Sequence, residues 1–182
     1  MSAVHNDITP FRAVLQSSQS HELSPQAKMS FNEGLEHLQA GEPAVAAAAL
    51  YRSLEHSPDF PPTHIFLGIA HALTSNIYPA IDHLEKAARL DRDSFAAHFT
   101  LAQLNFKLRI PQKGYEAAER ARQCIDTLEQ RKMLTNLLKE ERARERNGIA
   151  RPSFNKPFSR SALVLAGGAL LAALVAVVMH IR

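Results

Sequence analysis

The chain has 182 residues, 46% of them hydrophobic and 21% charged, with a formal net charge of +3. That apolar fraction excludes a wholly disordered chain, and 10 Pro and 7 Gly are too few for a fibrous or low-complexity class. The charge is uneven: residues 1–141 carry 14 Lys/Arg against 17 Asp/Glu, a net of −3, whereas residues 142–160 carry six basic residues against Glu145 alone. The basic character is therefore confined to one short segment, which argues against a nucleic-acid-binding face. Cys124 is the single cysteine, so no intramolecular disulfide forms, in keeping with a reducing compartment. Alanine is abundant and strand formers are sparse outside the last twenty residues, which points to an all-α protein.

Residues 1–23 are mostly polar and read as a flexible N-terminal segment, loosely docked through Phe11, Val14 and Leu15. They hold no continuous apolar run, so no secretory signal peptide is expected. Ser24-Pro25 offers an N-cap followed by Pro at the first helical position, and Gly41 offers a left-handed stop. A second helix is predicted from Pro43 to about Ser57-Pro58, and a third from Pro61-Pro62 to about Ser75-Asn76. A fourth runs from Ile77 to Leu90, and a fifth, capped by Asp93 or Ser94, ends near Leu108. Pro111 opens a sixth that runs towards Asp126.

These six helices keep a period of 34 residues. Gly34, Gly68 and Ala102 share one column, and Ala46, Ala80 and Gly114 another. Apolar columns repeat as Leu50/Leu84/Ala118, Leu38/Ala72/Phe106 and Phe31/Ile65/Phe99. His37 recurs as His71, and His64 as His98. Such self-similarity marks helical hairpins stacked in series. With Pro58 closing the first repeat, residues 24–126 resemble three tetratricopeptide repeats, a family of two-helix units of this length. The small residues then sit where helices approach closely. The sequence departs from the family's pattern at its Trp column, here Ser30, His64 and His98, and at its Tyr column, here His37, His71 and Asn105. The repeat-closing Pro is replaced by Arg92 and Asp126 in the second and third repeats.

Residues 127–146 read as a charged helix with a narrow apolar stripe of Met133, Leu134, Leu137 and Leu138, suited to cap the array, and Gly148 and Pro152 are expected to break it. Residues 147–161 form a basic linker. Residues 162–179, ALVLAGGALLAALVAVVM, lack any polar side chain. A helix of that length spans roughly 27 Å, close to a bilayer's hydrocarbon core, so a single transmembrane helix is predicted. Arg142, Arg144, Arg146, Arg151, Lys156 and Arg160 flank it on one side, which predicts an N-terminal domain held in the cytoplasm. This is the layout of a tail-anchored protein. Gly168 and Ala172 make a small-xxx-small pair through which two such helices are able to dimerise.

No P-loop, G-x-G-x-x-G, G-x-S-x-G, H-E-x-x-H or C-x-x-C occurs, so no catalytic site and no cofactor are expected. Arg120 and Arg122 beside Cys124 would lower its pKa, although a small packing residue is the plainer role. There are nine histidines. His64 and His71 are two turns apart, too far for one ion without further ligands, and repeat stacking would bring His37 near His71 or His64 near His98. These columns pack between helices, so the histidines are read as packing residues and no metal is assigned. The resemblance implies a groove lined by the first helix of each repeat, here Phe31, Leu35, Leu38, Ile65, Ile69, Leu73, Phe99 and Phe106. It also implies that the family's Lys/Asn/Arg carboxylate clamp is missing, because Phe31 and Leu35 hold the first-repeat positions. The expected partner is an apolar or amphipathic protein segment, unless residues 1–23 or the helix around Leu134–Leu138 fill the groove as internal core. The expected function is thus a membrane-anchored interaction adaptor in contact with the lipid bilayer. The alternatives are an assembly subunit of a membrane complex acting through its transmembrane helix, and a histidine-based metal or haem handling factor.

Overall fold

The computed structural model describes residues 23–149. The described residues hold seven helices: α1 (Pro25–Gln39), α2 (Pro43–His56), α3 (Pro61–Leu73), α4 (Ile77–Leu90), α5 (Phe95–Lys107), α6 (Pro111–Gln123) and α7 (Leu128–Ile149). The first six agree with the elements predicted from the sequence. The chain divides into two units, Met1–Glu141 and Arg142–Arg182, with the boundary inside α7.

Every helix but α4 starts where its sequence satisfies or removes an orphan N–H group; Asn76, before α4, makes no side-chain cap. Pro occupies the first turn of α1, α2, α3 and α6, where a missing N–H costs nothing. The Ser24 and Ser94 hydroxyls accept from the N–H groups of Ala27 and Ala97, at 3.2 and 3.3 Å. At α7, Thr127 and Gln130 form a reciprocal capping box. The Thr127 hydroxyl accepts from Gln130 N at 3.1 Å, while Gln130 Oε1 accepts from Asp126 N and Thr127 N at 2.8 and 3.2 Å. The helix then continues through Gly148 to Ile149, so Gly148 does not break it as expected.

The hairpins close on one repeated stop. After α1, Gly41 adopts φ 78°, its N–H reaches Leu38 O at 3.1 Å and Glu42 N–H reaches His37 O at 2.8 Å. Thirty-four residues on, Ser75 adopts φ 63°, with bonds to Ala72 O and from Asn76 to His71 O at 3.2 and 2.8 Å. Arg109, at φ 61°, repeats it with Phe106 O and with Ile110 bonding Asn105 O. This is the Schellman arrangement three times, and only its first copy uses the glycine that the left-handed conformation favours.

The pairing is sequential: α1 packs on α2, α3 on α4 and α5 on α6, with α2 against α3 and α4 against α5 joining successive hairpins. The first helices also meet one another, α1 with α3 and α3 with α5. Within a hairpin the axes are held close by glycine. A Cβ at Gly34 would lie 2.6 Å from Leu50 Cγ, and one at Gly68 would lie 2.5 Å from Leu84 Cγ. At Gly114 a Cβ would meet the Phe106 ring at 2.5 Å. The column expectation therefore holds: these glycines stand at helix contacts. One core runs through the stack from Phe31 and Leu38 to Ala121, and Leu134 of α7 is buried in it, with Met133, Leu137 and Leu138 half-buried against it.

Arg109→Gly relieves a left-handed penalty of roughly 1–2 kcal/mol, partly offset by glycine's backbone entropy, so the variant should be more stable by about 0.5–1 kcal/mol. Urea unfolding of the full chain in a mild non-ionic detergent checks this.

Candidate functional site

The groove predicted from the repeat register divides on burial. Phe31, Leu38, Ile65, Phe99 and Phe106 are buried core residues, not surface. Phe31 meets the edges of Phe60 and Phe66 at centroid distances of 5.6 and 5.7 Å, and so joins the first hairpin to the second. Phe99 stacks on Phe95 at 5.3 Å, and Phe106 stands edge-on to Tyr115 at 5.1 Å. The physical reason is the width of the helical face. Position i of each first helix points between hairpins, while positions four and eight residues on turn towards solvent. Leu35 and Ile69 are accordingly half-buried and Leu73 is 60% exposed.

Around Ile69 and Leu73 the structure opens a cleft of about 200 Å³ between α3 and α5. Ile69, Ala72 and Leu73 form one wall, Leu104 and Leu108 the other, and Lys107 contributes the one charged side chain of its lining. The cleft lies beside Ala72, where the first and third hairpins carry Leu38 and Phe106 in the same column. A second cleft, of about 350 Å³, lies on the opposite face of α5 and is lined by Glu85, Arg89, Lys113, Glu116 and Arg120 among others. Its charges of both signs suit solvent, whereas the first cleft is apolar.

Neither predicted histidine pair forms. His37 Nδ1 lies 2.7 Å from Glu42 Oε2, and His98 Nε2 reaches the carbonyl of Arg92 at 2.9 Å. Instead, His64 and His71 of α3 gather around His83 of α4 and Tyr51 of α2. His64 Nδ1 is 3.1 Å from His83 Nδ1, and the Tyr51 hydroxyl is 2.8 Å from His71 Nε2 and 3.1 Å from His83 Nε2. His83 stacks between the other two rings, at 5.3 Å from His64 and 5.6 Å from His71. Burial holds all three imidazoles below the ordinary value of 6.5, and the neighbouring rings push His83 down to about 4. Sequence reasoning compared like columns and so missed this cluster, which joins four different ones. The available signal was His83 itself, set in a column whose other members are Ala49 and Ala117. Among the described residues no group of three His, Cys, Asp or Glu is arranged to hold a metal ion.

Cys124 ends α6 half-buried, its Sγ 3.7 Å from Arg92 O. Burial, with Asp93, Asp91 and Asp126 nearby, pushes the thiol up, which reverses the lowering expected from Arg120 and Arg122. Arg142, Arg144 and Arg146 are exposed on α7, while Arg151, Lys156 and Arg160 lie outside the described residues, as do Gly168, Ala172 and the apolar run 162–179. Among the described residues no helix is long and apolar enough to cross a membrane.

No protein-family model and no curated protein matches the chain. Solved structures do. The Sgt2 TPR domain from Aspergillus fumigatus is 18% identical, with a TM-score of 0.62 over 78% of this chain and 93% of that one. The first TPR of Spaghetti (RPAP3), bound to the HSP90 peptide SRMEEVD, is 16% identical, with a TM-score of 0.57 over 66% of this chain and 97% of that one. MamA is 18% identical, with a TM-score of 0.54 over 74% of this chain and 88% of that one. The chain therefore has the fold of tetratricopeptide-repeat domains.

Burial separates the eight groove residues by energy. Phe31→Ala should cost about 3–5 kcal/mol, whereas Leu73→Ala, on the open side, should stay within about 0.5 kcal/mol of the parent. Denaturant midpoints of the full chain in detergent distinguish the two.

Proposed function

We propose that the chain is a membrane-anchored interaction adaptor that holds an apolar or amphipathic segment of a partner protein in the α3–α5 cleft. The observation that carries this reading is the cleft itself. It is apolar, open to solvent, and placed where Ala72 leaves room that Leu38 and Phe106 fill in the neighbouring hairpins. Leu35, Ile69 and Leu73 are the predicted groove residues that remain accessible to a partner. The likeness to domains such as the one bound to an HSP90 peptide supports a peptide-holding role. The occupant differs in chemistry, because an acidic peptide would meet only Lys107 in this cleft, and the clamp positions hold Phe31 and Leu35. In this reading residues 162–179 form the single membrane span, and the basic residues from Arg142 to Arg160 keep the repeat domain in the cytoplasm. Gly168 and Ala172 would bring two spans together.

The test uses full-length chain in its native membranes, with a photo-crosslinking residue at position 73 or at position 116 on the opposite face. After an alkaline carbonate wash the chain should stay with the membrane. Position 73 alone should give a discrete protein adduct, which Ala72→Leu, filling the cleft as in the first hairpin, removes. Release into the supernatant would overturn the anchor. Equal adducts from both positions, or adducts indifferent to Ala72→Leu, would overturn the cleft.

A further inference from the structure

The four side chains Tyr51, His64, His71 and His83 form a hydrogen-bonded chain whose direction is fixed at one end. His64 Nε2 lies 2.9 Å from the carbonyl of Pro58. A carbonyl only accepts, so His64 carries its proton on Nε2 and leaves Nδ1 bare. His83 must then donate from Nδ1 across the 3.1 Å gap to His64, which leaves His83 Nε2 bare. Tyr51 donates its hydroxyl proton to that nitrogen at 3.1 Å, and its oxygen accepts from His71 Nε2–H at 2.8 Å. Each neutral ring therefore has one defined tautomer, and every bond has one donor and one acceptor.

Tyr51 is the only member that belongs to the first hairpin; the three histidines belong to the second. The chain thus fastens α2 to both α3 and α4. A proton added to His83 turns Nε2 into a donor to the Tyr51 oxygen, so the Tyr51 proton must swing to His71 Nε2 and His71 must carry its own proton on Nδ1. With His64 and His83 both protonated, two N–H groups stand face to face at Nδ1 across 3.1 Å and that bond is lost. His71 accepts a proton with no rearrangement of the chain, because its Nδ1 lies outside it. The charged groups facing the cluster are Asp59 in the α2–α3 turn and Asp82 and Lys86 on α4. Lys86 is itself bound to Pro58 O at 3.3 Å and to Asp59 at 3.6 Å, so a cation already stands where a second would gather.

We infer that this cluster is an acid-sensitive latch: protonation of the His64–His83 pair reverses the Tyr51 bond, sets two N–H groups against each other between the rings and loosens the first hairpin from the second. The same seam between the second and third hairpins has no such device. His98 repeats the carbonyl bond of His64, but Asn105 and Ala117 stand where His71 and His83 would be.

The sign follows from the lowered imidazoles. Above about pH 6.5 the folded and unfolded chains both carry neutral rings, and the latch is intact. As pH falls, the unfolded chain binds protons that the folded rings refuse until about pH 4 at His83. Stability is therefore lost progressively across that window. The carboxylates remain ionised over its upper half, between about pH 6.5 and 5, so a fall there belongs to histidine.

The experiment follows the urea midpoint of full-length chain in non-ionic detergent over that upper half, together with the imidazole nitrogen shifts by NMR. The midpoint should fall as pH drops. Most of the fall should vanish in His83→Ala, which installs the residue of the equivalent column positions. It should persist in His98→Gln. Independently of any variant, His83 should show the Nδ1–H tautomer and His64 and His71 the Nε2–H tautomer. A fall unchanged in His83→Ala, or a His83 that carries Nε2–H and titrates near its ordinary value, would overturn the latch.

Discussion

The close approach of the two helices within each hairpin is the constraint from which the rest follows. At Gly34 and Gly68 there is no room for a Cβ, because Leu50 and Leu84 occupy the space. In the third hairpin the same columns hold Ala102 and Ala118, both buried, so volume gained on one helix is given up on the other. The second pair of columns obeys the same exchange, with Phe106 set against Gly114 where the first hairpin has Leu38 and Ala46. Interiors packed at crystal-like density admit few other solutions. The repeat is thus a rule about summed volume, and the chain keeps that rule while changing the residues that satisfy it.

Both features assigned to function arise where a column departs from its neighbours. Ala72 stands where leucine and phenylalanine stand in the flanking hairpins, and a cleft opens beside it. His83 stands where alanine stands on either side, and two imidazoles and a phenol close around it. The scaffold is set by what the repeats share, and the chemistry by single substitutions that the scaffold tolerates. The two sites differ in kind: the cleft is an absence of side-chain volume, whereas the latch is a surplus of polar groups that need one another as partners.

The six hairpin helices were legible because caps, prolines and the 34-residue register all agree on them. The αL stop was legible at Gly41 and hidden at Ser75 and Arg109, two exposed residues that close the same helix-end hydrogen bonds in a conformation that their own chemistry disfavours. The groove was half legible. The register put Phe31 and Leu35 one turn apart on α1, but a single sequence does not say how far the next hairpin overlaps that helix, and overlap buries Phe31 while Leu73 stays open. The histidine cluster escaped for a related reason. Its members come from helices α2, α3 and α4 at unrelated register positions, and only the stacking geometry brings them together.

The exchange of volume between paired columns is tested most directly by a double-mutant cycle at Gly68 and Leu84, read by urea unfolding of the full chain. Gly68→Ala alone forces a Cβ against Leu84 and should cost about 1–3 kcal/mol. In the Leu84→Ala background, which reproduces the Ala102/Ala118 pair of the third hairpin, the same change should cost nothing or stabilise the chain, a coupling of about 1–3 kcal/mol. Additive effects at the two positions would contradict the account.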